Sequence, residues 1–248
     1  MARYDSARGV GSGMAEQRKR NGKGATADEP TATVEDYLQY IYYMNRDGRP
    51  VFGVRLAEKL AVSAPTVTAT LQRMHRQGLI GLDSRKEVHL TPRGQELAES
   101  IVRRHALAEH LLVDLLGLRW AEAHQEAHRV EHAISPRVEE RLLAVLGNPP
   151  TCPHGNPMPG VEQAETGAMT LNTLRAGQRG TVTRIHEEAE EDLQLLTFLE
   201  EHGVKPGARL EVEEVASYNG TVTIRVGGGP VVLGERTASY VWAIPDDA

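Results

Sequence analysis

Four side chains able to bind a divalent metal fall between residues 124 and 132: His124, His128, Glu131 and His132, in the run His-Gln-Glu-Ala-His-Arg-Val-Glu-His. On an α-helix each residue turns roughly 100° and rises about 1.5 Å, so the four share about a 100° arc of one face and spread over about 12 Å of axis. That length suits two neighbouring metal sites rather than one. Imidazole and carboxylate donors together suit divalent first-row ions such as Mn, Fe, Co, Ni and Zn. A second pair, His105 and Glu109, stands at i, i+4 on the preceding expected helix. Apolar residues flank both runs, at Leu111-Leu112-Val113 and Ala133-Ile134. A half-buried face with so many ionisable groups needs partners, and a cation supplies one. The His124–His128 spacing also matches part of the zincin pattern, which places a general-base Glu directly after the first His. Gln125 holds that place and Glu126 comes one residue late, so the pattern argues against a metalloprotease.

The elements that must position these groups follow from periodicity and caps. Val34, Leu38, Ile41 and Tyr42 predict a helix from about Thr33 to Met44, ended by Gly48 and Pro50. A short helix is expected over about 53–60. After a break at Ala61-Val62-Ser63, Ser63 suits an N-cap and Pro65 the first turn of a helix that stops at Gly78. Residues 79–82 and 87–90 form two strands around Asp83-Ser84-Arg85-Lys86, and Thr91-Pro92 open a long helix as cap and first residue. Helix, helix, tight break, helix and hairpin make a winged helix-turn-helix. Its reading helix starts with Ser63, Ala64, Pro65, Thr66 and Thr68, small and hydroxylated residues suited to base or phosphate contact in the major groove. Arg73, Arg76, Arg85 and Lys86 would hold phosphates.

Charge distribution supports that reading although the net charge is −6. Residues 46–93 hold nine Lys/Arg against four Asp/Glu, whereas residues 187–248 hold four against thirteen. The chain has 248 residues, 40% hydrophobic and only 4% aromatic, so two or three domains with aliphatic cores are expected. No apolar run is long enough to span a membrane, no secretory signal is evident, and the lone Cys152 forbids an internal disulfide, so a cytoplasmic protein is expected. Residues 1–30 are polar, Gly-rich and expected to be disordered, with Arg18-Lys19-Arg20 inside. Residues 147–160, with five Pro and three Gly, read as a linker, and its Cys152 and His154 as structural residues. From Met169 onward short strands (180–185, 209–215, 221–226 and 231–233) surround a helix over 192–202, which describes a small SH3-like β-barrel with one inserted helix.

Together these stretches resemble the diphtheria toxin repressor family of metal-dependent transcriptional repressors, with its iron- and manganese-dependent members. The likeness runs over about residues 33–248 and is carried by Glu35-Asp36-Tyr37-Leu38, Ser63-Ala64-Pro65-Thr66-Val67, residues 104–109, His124 through His132, and His154-Gly155-Asn156-Pro157-Met158-Pro159-Gly160. The resemblance implies a mainly α fold with a small β part: a winged helix-turn-helix (31–95), a helical metal-binding and dimerisation domain (96–147), a linker (148–168) and an SH3-like β-barrel (169–248). It implies a primary metal site of Asp36, His128, Glu131 and His132, and an ancillary site of His105, Glu109, His124, Glu187 and Glu190. Iron-type members carry Met and Cys where Asp36 and His128 stand. Manganese-type members share Asp36, but usually have carboxylates at positions 128 and 39, where this chain has His128 and Gln39. Fewer sulfur donors and more oxygen point to Mn(II), with Fe(II) the alternative and Co(II) or Zn(II) able to bind. Ala69 replaces a Gln common in iron-type reading helices. The expected protein is therefore no enzyme but a cytoplasmic homodimer that binds double-stranded operator DNA when metal-loaded, without membrane or small-molecule substrate. A metal-dependent hydrolase and a metal-buffering protein are the alternatives outside that class.

Overall fold

In the computed structural model, which describes residues 30–161 and 167–246, the reading-helix signals act as the sequence predicts. Helix α1 (Ala32–Arg46) is followed by α2 (Gly53–Lys59) and α3 (Ala64–Arg76). Ser63 caps α3, its Oγ accepting from the Thr66 backbone N–H at 3.4 Å. Strands β1 (Ile80–Leu82) and β2 (Val88–Leu90) pair antiparallel as the wing. Val34, Leu38, Ile41, Leu56, Val67, Met74, Ile80 and Val88 form the core that joins these helices to the wing.

Thr91 then caps α4 (Pro92–His110), accepting from the Gly94 N–H at 3.1 Å. Gly94 is required there, since an added Cβ would lie 1.9 Å from the Leu79 carbonyl oxygen. A π-helical turn, Leu111–Leu115, ends α4. Helix α5 (Trp120–Val130) runs into a 3-10 turn, Glu131–Ala133, and α6 (Pro136–Leu146) is capped by Ser135 and closed by Gly147 in the left-handed region. The run 124–132 is thus a helix that tightens before its last two candidate ligands.

The C-terminal part is a six-stranded antiparallel sheet of order β3-β8-β4-β5-β6-β7: β3 (Met169–Thr170), β4 (Arg179–Ile185), β5 (Arg209–Ala216), β6 (Thr221–Val226), β7 (Gly229–Gly234) and β8 (Val241–Pro245). Bulges between Val182 and Arg184 and between Val212 and Glu214 bend it around an aliphatic core. Where one inserted helix is expected, three are found: α7 (Glu187–Glu190), α8 (Leu193–Glu201, capped by Asp192) and α9 (Glu235–Tyr240). The linker packs against β4, where His154 O accepts from Ile185 N–H at 2.8 Å and Gly155, at φ +89°, leaves no room for a Cβ beside Thr183 O. Among the described residues no helix is long and apolar enough to cross a membrane. The basic triplet at 18–20 lies outside the described residues.

Candidate metal centre

Helices α1, α4, α5 and α7 meet at one polar cluster inside an otherwise aliphatic protein. Its centre is Glu131, fully buried. One carboxylate oxygen accepts from His105 Nδ1 at 2.5 Å; the other lies 3.2 Å from His128 Nδ1 and 3.4 Å from His132 Nε2. Asp36 on α1 completes this half, its Oδ1 lying 3.2 Å from His132 Nε2. Asp36, Glu131 and His132 bring their ligand atoms within 4.8 Å of one another, a spacing that fits one ion.

The second half lies deeper. Glu109 Oε1 is 3.1 Å from both His105 Nε2 and His124 Nδ1, and Glu190 Oε2 is 2.9 Å from His124 Nδ1. His105, Glu109, His124 and Glu190 are all buried and form a second compact ligand group. His128 stands between the halves: its Nδ1 faces Glu131, its Nε2 lies 3.3 Å from His124 Nε2, and it groups with His105 and His124. Glu187 lines the same cavity as His105, Glu109 and Glu190 but lies outside their compact ligand group. It faces Arg46 of α1 at 2.5 Å, one turn of α7 away from Glu190.

Two residues read as structural, Cys152 and His154, lie against the deep group. Both are buried and share a ligand-sized space with Glu109. His154 Nε2 faces the Trp120 carbonyl at 3.2 Å, a contact only an N–H can make, so Nδ1 is left toward Glu109 Oε2 at 3.3 Å. Neither His154 Nδ1 nor Glu109 Oε2 has a hydrogen-bond partner. A cation there would satisfy both of these buried polar atoms. The signal missed in the sequence is that Cys152 and His154 lie far along the chain from Glu109 and meet it only because the linker doubles back onto β4. Gln39, also fully buried, donates Nε2–H to Tyr43 Oη at 3.3 Å and leaves its Oε1 unpartnered.

The electrostatics separate the two halves. Burial lowers the His105 pKa, but Glu109 and Glu131 outweigh it and raise it to about 9. His124 is likewise held well above the usual imidazole range, burial being outweighed by Glu109, Glu190 and Glu191. Burial holds His128 below that range despite Glu131, with His105 and His124 adding to the fall. Burial raises Glu131, yet His105 and His128 bring it down to about 2. Burial, with Glu109 and Glu190 beside it, keeps the Cys152 thiol well above its usual range. The buried carboxylates of the deep group thus favour the charged forms of His105, His124 and His154, while burial favours the neutral form of His128.

The expected DNA face is exposed. Ser63, Ala64, Pro65, Thr66 and Thr68 line the start of α3, Arg85 and Lys86 the wing tip, and Arg73 is half-buried. Ser63 Oγ and Thr66 Oγ1 share a hydrogen bond of 2.8 Å, and Thr68 donates to Ala64 O at 2.9 Å. Asp83 Oδ1 accepts from the N–H groups of Arg85 and Glu87, both at 2.8 Å, and fixes the wing tip with Lys86 in the left-handed region.

A winged helix joined through a buried His/carboxylate cluster to a small β domain defines a metal-dependent DNA-binding protein. Three family models match in that order: the iron dependent repressor N-terminal DNA binding domain over residues 30–88, the iron dependent repressor metal binding and dimerisation domain over 91–160, and the FeoA domain over 169–245. The chain is 41% identical over 212 residues to the iron-dependent repressor IdeR of Mycobacterium tuberculosis, covering 81% of this chain and 91% of that protein. It is 33% identical over 210 residues to the diphtheria toxin repressor of Corynebacterium diphtheriae, covering 81% and 92%. A solved manganese-dependent transcriptional repressor in complex with manganese superposes with a TM-score of 0.77 at 35% identity, covering 86% of this chain and 99% of that one. The structure of the manganese regulator SloR gives 0.70 at 30% identity, covering 86% and 98%. The chain belongs to the diphtheria toxin repressor family and is a metal-dependent transcriptional repressor, not an enzyme.

Proposed function

We propose that the protein is a cytoplasmic, homodimeric repressor that binds operator DNA when Mn(II) occupies the centre formed by Asp36, Glu131, His132 and His128. The observation that carries this reading is the position of Asp36. It lies on the first helix of the DNA-binding domain yet meets Glu131 and His132 of the metal-binding segment within one ion's span. A divalent ion supplies there the positive charge that two carboxylates need to share one site. Closing that contact fixes the reading head on the scaffold and favours the arrangement that fits DNA.

The deep group of His105, Glu109, His124 and Glu190, with Cys152 and His154 behind it, would hold a second ion. Glu187 joins it only by leaving Arg46. The preference for Mn(II) over Fe(II) rests on the donor set, two carboxylates and imidazole without thioether or thiolate at the outer centre. General affinity still rises from Mn to Fe to Co, so selection for Mn(II) depends on geometry and on ion supply. Dimerisation is supported by exposed apolar side chains on the helical domain, where Leu115, Leu116, Val138 and Val145 are exposed by 50%, 61%, 45% and 60%. Ser63, Ala64, Pro65, Thr66, Thr68, Arg73, Arg85 and Lys86 are assigned to DNA.

DNA binding titrated at buffered free Mn(II), Fe(II), Co(II) and Zn(II) tests the metal assignment. Activation by Mn(II) at levels where it fills the outer centre is expected. A requirement for Fe(II) where Mn(II) leaves the protein inactive would overturn the manganese reading.

A further inference from the structure

Glu35, beside the proposed ligand Asp36, faces a different task. It is 8% exposed, and each of its carboxylate oxygens has a partner. Oε1 accepts from Arg104 at 2.6 Å, and Oε2 lies 2.7 Å from His132 Nδ1. A carboxylate has no hydrogen to give, so His132 Nδ1–H is the donor. That bond leaves the lone pair on Nε2, and Nε2 is the atom turned toward Asp36 and Glu131, at 3.2 and 3.4 Å. Arg104 in turn is held by the helix it sits on, through Ser100 O at 3.4 Å, and reaches Glu131 O at 3.5 Å. Arg104, Glu35 and His132 thus form a chain of contacts from α4 through α1 to the segment that carries the centre.

We infer that Glu35 is the positioning residue of the outer metal centre: it fixes the tautomer and ring orientation of His132 so that Nε2 is ready for a divalent cation. The inference rests on the assignment of His132 and Asp36 as ligands. Metal-bound imidazoles characteristically give their other N–H to a carboxylate or carbonyl, and removing such a partner costs about 10–100-fold in metal affinity. Because Glu35 and Asp36 are consecutive, they project about 100° apart on α1. One side chain therefore reaches the ion while its neighbour holds the imidazole from behind. The same contact ties the DNA-binding helix to the metal-binding segment through a carboxylate that does not itself touch the ion.

The test uses the full chain, Mn(II) as the probe and free Mn(II) read by its EPR signal. Glu35→Gln and Glu35→Ala should bind at the outer centre about 10–100-fold more weakly than wild type, and Arg104→Leu should show a smaller loss because Glu35 stays but swings. A second readout needs no metal: long-range proton–nitrogen spectra of the chelator-treated protein should show His132 with its hydrogen on Nδ1, and Glu35→Ala should shift it toward Nε2. A change of tautomer and loss of affinity in Glu35→Ala support the role. Unchanged Mn(II) affinity in both Glu35 variants, with an unchanged His132 tautomer, overturns it. Asp36→Ala separates the two readings: loss there without loss in the Glu35 variants refutes only the positioning role, whereas full affinity in Asp36→Ala removes the outer centre itself.

Discussion

Loading the deep group should be coupled to proton release, and the structure sets the size of the effect. His105 carries a pKa near 9 because buried Glu109 and Glu131 outweigh its desolvation. A metal ligand must be deprotonated. At pH 7 that single proton lies about two pH units below its pKa, a cost of about 2.7 kcal/mol or roughly 100-fold in apparent affinity. Between pH 7 and 9 the affinity of this group should therefore rise by nearly that factor, at about one log unit per pH unit, and His124 adds in the same direction. His128, held below the usual imidazole range, contributes no such gain above pH 7. The protein without metal should move the opposite way. A folded-state pKa raised above the unfolded one gives stability that is fully present below about pH 6.5 and is lost as pH rises through about 9. The assay is calorimetric Mn(II) titration of Asp36→Ala, which confines binding to the deep group, at pH 7, 8 and 9 in buffers of different ionisation heat. About one proton or more released per ion at pH 7, falling toward pH 9, is expected. Release near zero with a flat affinity would refute the electrostatic reading.

Other parts of the molecule give sharper but smaller tests. Helix α7 and its flanking residues grip the DNA-binding domain through Arg46–Glu187 at 2.5 Å, Asp47–His186 at 3.0 Å, Arg49–Glu188, and Tyr40 and Lys59 on Glu191 at 2.7 and 3.4 Å. Asp47→Asn should cost about 1.5–3 kcal/mol, read as a lower denaturation midpoint. Burial raises the Asp47 pKa, but His186, Arg46 and Arg49 outweigh it, so its contribution is present above about pH 4 and is lost as pH falls through the lower folded value; an acid transition unchanged by Asp47→Asn would contradict this. Arg85→Ala with Lys86→Ala should weaken DNA binding on every sequence and flatten the log–log salt slope by roughly one to two, while Thr66→Ala should change preference among operator variants. Leu116→Arg with Val145→Glu should give a monomer in sedimentation equilibrium, and a persistent dimer would move the interface elsewhere.

Local signals carried most of the fold. Ser63-Ala64-Pro65, Gly78 and Thr91-Pro92 mark helix ends by capping chemistry that needs no distant partner, and the elements fall where they predict. The candidate ligands on α5 were legible because one helix face gathers them. What stayed hidden depends on long-range contacts. Arg46 and Glu187 stand 141 residues apart, and nothing near either foretells that they pair. Glu35 meets His132 across 97 residues. Nothing local to Cys152 and His154 shows that they lie against Glu109, which comes from another element. Helix α7 spans only Glu187–Glu190, too short to show a period.

The most direct test of the account is the affinity of chelator-treated protein for an operator selected from random DNA, measured by fluorescence anisotropy with and without buffered Mn(II), for wild type and Asp36→Ala. Wild type should bind weakly without metal and at least tenfold more tightly with it, a coupling of about 1.4 kcal/mol or more, and Asp36→Ala should stay weak in both conditions. Equal affinity of wild type with and without metal would contradict the claim that an ion between Asp36 and the 128–132 segment sets the reading head on DNA.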